Sequence, residues 1–577
     1  MDCKEKILSN DYVDGVIDFP IERLINEGDD VCYIKLDEKY YVAYLNRQLA
    51  PDLGESSFQY QYVPKLYGLM QTGESGNGSL VFDPSSLVSS GIRQLQGPPL
   101  NLRGQGVIVA IIDTGIEYTN AAFLDRSGES RVLAIWDQTI QTGTPPEGFY
   151  FGSEYSREEI NRALQSENPQ SIVPVDDRLR HGTIMAGIAA GSMVNGGSTY
   201  MGAAPEADIV VVKLKEAKEY LRQYYFVPEG ANAYAENDIM LGVAYANRFG
   251  IAFSRPVVIC LGLGTNMGDH AGNSILGKYL SRVALQPSRS VVVCGGNEGI
   301  ANHHYTGKFL ENENETTKNV ELRVGEGENG FMMEFWGNAP DTFSVSIRSP
   351  GGEILPSIRP GIEQRAEYSF IFEDTRVSIQ SNLIEAGSGE QFIRFRFKDP
   401  TPGIWNFQIG VVGTIYNGRF YMWLPITEFL KGNTFFLEAS PYTTLTEPAN
   451  VRDVISVTTY NHVNNSFFLE SGRGYTRREL IKPDFAAPGV NVPTLYGNRT
   501  GSSLAAANTA GGIAQFLQWA VVEGNSPLAD TEEVKNYLIK GAGRLAELNY
   551  PNREWGYGTL NVYGVFLGIS GNSLENV

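Results

Sequence analysis

The strongest constraint on this chain is the way strand-like and helix-like periods alternate between residues 106 and 296. GVIVAIID (106–113), RPVVICLGLG (255–264) and VVVCGG (291–296) are short, nearly unbroken apolar runs rich in β-branched residues. Such runs read as strands buried on both faces, because a strand with one wet face would alternate apolar and polar residues. Between them stand helical patterns such as ANAYAENDIMLGVAYANRF (231–249). Strands that alternate with helices of this length need right-handed crossovers, which predicts an α/β fold with a largely parallel sheet.

Near residue 308 the pattern changes. VELRV, FMMEFW, FSVSI, FIRFRF, WNFQI and FYMWL are short runs, many of alternating polarity, separated by Gly, Pro and Asn turns. They predict an inserted antiparallel β-sandwich or jelly roll. Its aromatics Phe331, Phe335, Trp336, Trp405 and Trp423 are assigned to a core. The α/β pattern resumes with VISVTTYN. Upstream, residues 1–71 read as a small α+β unit: a helical stretch at 21–27, the hairpin CYIKL–DEK–YYVAYL, and a last extended run in FQYQYVPKLYGLMQ. TGESGNGS (72–79) is a flexible linker by composition. The expected units are therefore 1–71, 72–307, 308–438 and 439–577, in a chain of 577 residues that exceeds what one core organises.

Composition narrows the partners. With 42% apolar and 11% aromatic residues, disorder is excluded as the main state. The 46 Lys+Arg against 66 Asp+Glu give a net charge of −20 with no basic stripe, which excludes nucleic acid as the main partner. No apolar run reaches membrane-spanning length, and MDCKEKILSNDYVDG lacks the apolar centre of a Sec signal. Cys3, Cys32, Cys260 and Cys294 form neither a disulfide scaffold nor CxxC pairs for zinc, so reduced thiols are expected.

Three segments carry chemistry. Asp113 ends a buried strand in AIIDTGIE, His181 opens a helix in RHGTIMAGIAAG, and Ser503 opens another in NRTGSSLAAANTAGGIA. A serine nucleophile needs an adjacent general base, and that base needs an orienting carboxylate. Singly, each segment is as well explained by a turn former, a structural histidine or a Gly-rich loop. Together, in one α/β frame, they form a candidate triad.

In the order Asp…His…Ser this chain resembles the subtilisin-like serine proteases. Asp113-Thr114-Gly115, His181-Gly182-Thr183 through Ala186-Gly187, and Gly501-Ser502-Ser503-Leu504-Ala505 match the family's three motifs, with Ser502 in place of the usual Thr. GGNEG (295–299) matches its oxyanion segment, which makes Asn297, together with the Ser503 backbone N–H, the implied oxyanion donors. GAAPEADIVVVK (202–213) and KPDFAAPG (482–489) are supporting matches, and Leu261, Gly262, Leu263 and Gly264 correspond to the substrate-binding strand. Ile184 and Ala507 replace a second His and a Pro of the family pattern, neither of which does chemistry. The resemblance implies a three-layer α/β/α serine endopeptidase acting on protein or peptide substrates. It requires no cofactor, and the calcium that members often bind has no ligands assignable here.

The pro-region, the β insertion, LGLGTNMGDH, GGNEGIANHHYTG and G-S-S-x-A-A-A together resemble the Csp group of clostridial spore germination proteases. That resemblance implies synthesis in the cytoplasm, incorporation into the spore, and activation of a cortex-lytic precursor. The alternative is a catalytically quiet regulator or sensor on the same fold. The resemblance to subtilisin-like proteases also implies self-cleavage of the pro-region, expected between Gln71 and Thr72, within a window from Gly68 to Asp83, with the released piece remaining bound. GIRQLQGPPLNL (91–102) is assigned to the mature enzyme. Gly262-x-Gly264-x-x-x-Gly268 has the wrong spacing for a dinucleotide loop, and His303-His304 lacks a third metal ligand. Cys260 and Cys294 read as small core hydrophobes, and no metal site is assigned.

Overall fold

A computed structural model describes residues 1–21, 30–49, 60–70, 72–74, 83–192, 200–310, 316–358, 361–362 and 364–571. The predicted buried runs form the centre of a nine-stranded sheet. Ile108–Asp113 lies between Val257–Leu261 and Asp208–Lys213, and Arg289–Cys294, Ile455–Asn461 and Phe485–Pro488 extend the sheet on one side. All of these pairings are parallel. Only the edge strands Ser153–Ser156 and Ser466–Phe467 run antiparallel. The helices His181–Ala190 and Ser502–Leu517 cover one face, and Glu236–Ala252 and Ile275–Ala284 the other. Both helices of the first pair are buried along their whole length. Their Gly and Ala residues permit this, since small side chains let helix and sheet backbones approach closely.

The insertion is a sandwich of a six-stranded and a five-stranded antiparallel sheet. Its first strand is His304–Lys308. Phe331, Phe335 and Trp405 lie in the core between the sheets. Trp336 and Trp423 are equally buried but belong to a separate cluster with Tyr60 and Phe392.

The N-terminal segment forms a three-stranded sheet, ordered Tyr12–Ile17, Tyr41–Asn46, Val31–Lys35. It packs on the Glu236–Ala252 and Ile275–Ala284 helices, with the Tyr40 and Tyr279 rings 5.4 Å apart. The helical stretch read at 21–27 lies outside the described residues from 22 onward. A helix unforeseen in the sequence, Cys3–Leu8, carries a complete capping box from Asp2 and Glu5. The expectation of reduced thiols fails for two cysteines: Cys3 and Cys32 form a disulfide, their Cα atoms 5.4 Å apart. The helix lies against the Val31–Lys35 strand, a juxtaposition that a separation of 29 residues does not display. Cys260 and Cys294 are free and buried. No helix among the described residues is long and apolar enough to cross a membrane.

Candidate active site

The site lies at the carboxyl ends of the parallel strands, where an open α/β sheet places its loops. Asp113 ends its strand with only 1% of its surface exposed. One carboxylate oxygen, Oδ1, accepts the Thr114 N–H at 2.7 Å and His181 Nδ1–H at 2.7 Å. With Nδ1 so occupied, His181 Nε2 is the acceptor end of the neutral ring. It stands 2.9 Å from Ser503 Oγ, whose hydroxyl donates to it. Residues far apart in sequence thus form one continuous hydrogen-bonded line.

A residue that sequence reasoning missed supports this line. Thr114 Oγ1 donates to Asp177 Oδ1 and accepts the Gly182 N–H, while Asp177 Oδ2 accepts both the N–H and the hydroxyl of Thr183. Asp177 therefore ties the loop after Asp113 to the first turn of the His181 helix. Its only signal in the sequence was a position four residues before His181, which no motif marks. Close approach explains Gly182: a Cβ there would fall 2.3 Å from the Gly115 carbonyl oxygen.

Burial alone would lower the pKa of the His181 imidazole. The charge of Asp113 and its hydrogen bond, with Asp177 and Glu428 further off, outweigh burial and raise it above the ordinary value. The two buried thiols go the other way. Burial pushes Cys294 up to about 12 and Cys260 well above its usual value, so both stay protonated near neutrality. His303 and His304 do not converge on a common point. His303 Nδ1 meets Glu298 at 2.8 Å, and the His304 ring stacks on Trp423 at 4.6 Å. Among the described residues no group of three or more His, Cys, Asp or Glu could hold a metal ion.

A strand already occupies the cleft. Leu66–Leu69 runs antiparallel to Leu263–Gly264, pairing Leu69 with Leu263 and Gly68 with Gly264. On its other side it pairs with Tyr234–Ala235. The Met70 N–H donates to the Gly262 carbonyl at 3.1 Å, and the Met70 carbonyl accepts the Ser503 N–H at 3.2 Å. Beyond the nucleophile, Thr72–Glu74 pairs with Gly497–Thr500, so the start of the expected linker is a strand. The chain therefore crosses Ser503 at the Met70 carbonyl, one residue before the carbonyl expected from the sequence, that of Gln71. Gln71 itself lies outside the described residues. Strand pairing with Leu263–Gly264 sets this register, and it is invisible in the sequence of the tail. Asn297 sits beside the same point, and its Oδ1 accepts the Ser502 N–H at 3.1 Å. That bond leaves Nδ2 as the donor end of the amide.

The Subtilase family model matches residues 104–321 and 431–558, on either side of most of the β insertion. The chain belongs to the subtilase family and is a serine endopeptidase. The solved structure of the Clostridium perfringens CspB protease is similar to 85% of this chain and 100% of its own, at 31% identity and a TM-score of 0.74. Sphericase matches at 15% identity over 82% of this chain and 97% of its own, with a TM-score of 0.40. MycP1 from Mycobacterium smegmatis matches at 13% identity over 86% and 88%, with a TM-score of 0.38. No curated protein sequence matches.

Proposed function

We propose that this chain is a self-processing endopeptidase that cuts its own N-terminal segment between Met70 and Gln71, keeps the released piece bound, and then activates a protein precursor during spore germination. The observation that carries self-processing is the Met70 carbonyl held against the Ser503 N–H, with the chain continuing past the nucleophile as a second paired strand. Ser503 Oγ attacks that carbonyl while His181 Nε2 takes its proton, and Asp113 fixes the ring and stabilises its charged form. The developing oxyanion receives the Ser503 N–H and Asn297 Nδ2–H. His181 then protonates the leaving Gln71 amine. Water hydrolyses the acyl-enzyme by the same relay in reverse, freeing Met70 as a new carboxyl terminus.

The germination role is supported by the Csp-like sequence pattern and by the 31% identity to the CspB protease. N-terminal sequencing tests the processing step. Wild-type protein is expected to begin at Gln71 and the Ser503→Ala chain at Met1. A variant that is still cut there would refute Ser503 as the nucleophile. Incubating the processed enzyme with a purified cortex-lytic precursor tests the second step; a precursor left full-length by enzyme that has cut itself refutes it.

A further inference from the structure

The substrate cleft has a wall that belongs to the exit of the β insertion. After its Arg419–Trp423 strand the chain makes a tight turn, Thr427–Phe429, directly over the strand that fills the cleft. This turn is fastened to the residue next to Asn297. Glu298 Oε1 accepts the Thr427 N–H at 3.0 Å, while Oε2 accepts the Thr427 hydroxyl at 3.3 Å and meets His303 at 2.8 Å. The Phe429 N–H closes back on the Ile426 carbonyl at 2.9 Å. Ile426 is 1% exposed and packs in the same cluster as Leu66, Met70, Met332 and Phe429.

Gly68 lies directly under the turn. A Cβ at that position would fall 2.5 Å from Ile426 Cδ1, 3.0 Å from Glu428 Oε2 and 3.7 Å from the tip of Phe429. In the plane of the sheet Gly68 is paired with Gly264, so the strand cannot slide along the cleft past the turn without losing its register. Burial pushes the Glu428 carboxyl up to about 7, with the Leu69 backbone and the charge of His181 acting against that rise.

We infer that the exit turn of the insertion, Ile426–Phe429, is a specificity wall that admits glycine at the third residue before the scissile bond, with the Ile426 and Glu428 side chains filling the space a Cβ would need. The substrate class is an extended polypeptide segment with glycine two residues before the cleaved residue. This rests on the reading of Met70–Gln71 as the scissile bond. A methyl group must displace the buried end of Ile426, and a branched side chain has nowhere to go, so overpacking should cost about tenfold in rate for alanine and far more for valine.

Two measurements separate this inference from self-processing itself. First, self-cleavage of the full chain is followed by mass spectrometry for wild type, Gly68→Ala, Gly68→Val, and Gly68→Ala combined with Ile426→Ala. The expected order is wild type, then Gly68→Ala, with Gly68→Val uncut, and with Ile426→Ala restoring the alanine chain. Second, wild-type enzyme is given the synthetic peptide Leu-Tyr-Gly-Leu-Met-Gln-Thr and its Gly68→Ala and Gly68→Val forms, which tests the wall independently of how the variants fold. Equal hydrolysis of the three peptides by cut enzyme freed of its N-terminal piece, or equal self-cleavage of wild type, Gly68→Ala and Gly68→Val, overturns the wall. A chain that discriminates among the peptides but never cuts itself upholds the wall and overturns self-processing. A chain that does neither overturns both.

Discussion

At the scale of single residues, the geometry assigns unequal loads to the polar groups around Ser503. Asn297 is held by one hydrogen bond from the Ser502 N–H, so replacing it removes a donor without disturbing the Asp113–His181–Ser503 line. Asn297→Ala is expected to lower turnover by about 10²–10³ while labelling of Ser503 by a fluorophosphonate stays measurable. An unchanged rate would remove Asn297 from the oxyanion site. His181 faces three carboxylates, Asp113, Asp177 and Glu428, which together raise its pKa above the ordinary imidazole value. The general base must be neutral, so self-cleavage is lost as pH falls through that raised value. Burial pushes the Glu428 carboxyl itself up to about 7, so Glu428→Gln removes a charge only partly present where His181 titrates, and the acid limb should move to lower pH by a small fraction of a unit. A limb that stays in place or moves up would show that Glu428 does not act on His181. Asp113, His181, Ser503 and Asn297, which the structure brings together, were legible as candidates because each sits in a short local motif. Asp177 and Glu428 were not, because each acts through contacts with segments distant in sequence or outside any motif.

At the scale of elements, the N-terminal sheet and its substrate-like strand are joined to the enzyme by different kinds of contact. The strand is held by backbone pairing and by the buried side chains of Leu66, Tyr67 and Met70, and the sheet by apolar packing plus a buried ion pair. Asp14 and Lys218 meet at 2.6 Å, both under a tenth exposed. The Asp14 carboxylate also accepts from Asn237, and Lys218 Nζ reaches the Tyr12 carbonyl at 3.1 Å. Removing one partner of such a pair leaves an uncompensated buried charge, which costs about 3–5 kcal/mol. Asp14→Ala in the uncut Ser503→Ala chain should therefore lower the urea midpoint by that equivalent. A midpoint within error of the parent would mean that the sheet is held by apolar contacts alone. Nothing in the sequence marked Asp14, since its partner lies 204 residues away. The hairpin around it was readable from its own alternation of strand and turn residues.

At the scale of the whole molecule, the β insertion touches both other parts of the chain. Tyr60, just before the substrate-like strand, lies against Phe392 of the insertion with ring centroids 4.2 Å apart. Its hydroxyl donates to buried Glu334 at 2.7 Å, and Glu334 in turn accepts the Gly268 N–H of the catalytic part at 3.0 Å. Burial raises the Glu334 carboxyl, and the bonds from Tyr60, Gly268 and Trp336 hold its charged form against that. The insertion is thus a clamp on the N-terminal segment as well as a wall of the cleft. Emptying an aromatic site of this kind costs about 3–5 kcal/mol. Tyr60→Ala enzyme, once cut, is expected to lose its N-terminal fragment on gel filtration where wild type retains it. Equal retention would show that the clamp does not hold the fragment.

The parallel α/β frame, the inserted β-sandwich and the order of the catalytic residues followed from the sequence because each is written in local periodicity or in a motif a few residues long. Hydrophobic runs determine which faces are buried whatever the rest of the chain does. Which carbonyl reaches Ser503, the disulfide between Cys3 and Cys32, and the packing of Ile426–Phe429 over Gly68 depended on the tertiary structure. Each is a contact between segments that carry no matching signal. Strand register in the cleft is set by backbone hydrogen bonds to Gly262 and Gly264, and every residue except proline can make such bonds. Side-chain patterns therefore cannot say which carbonyl reaches Ser503; only the folded cleft does.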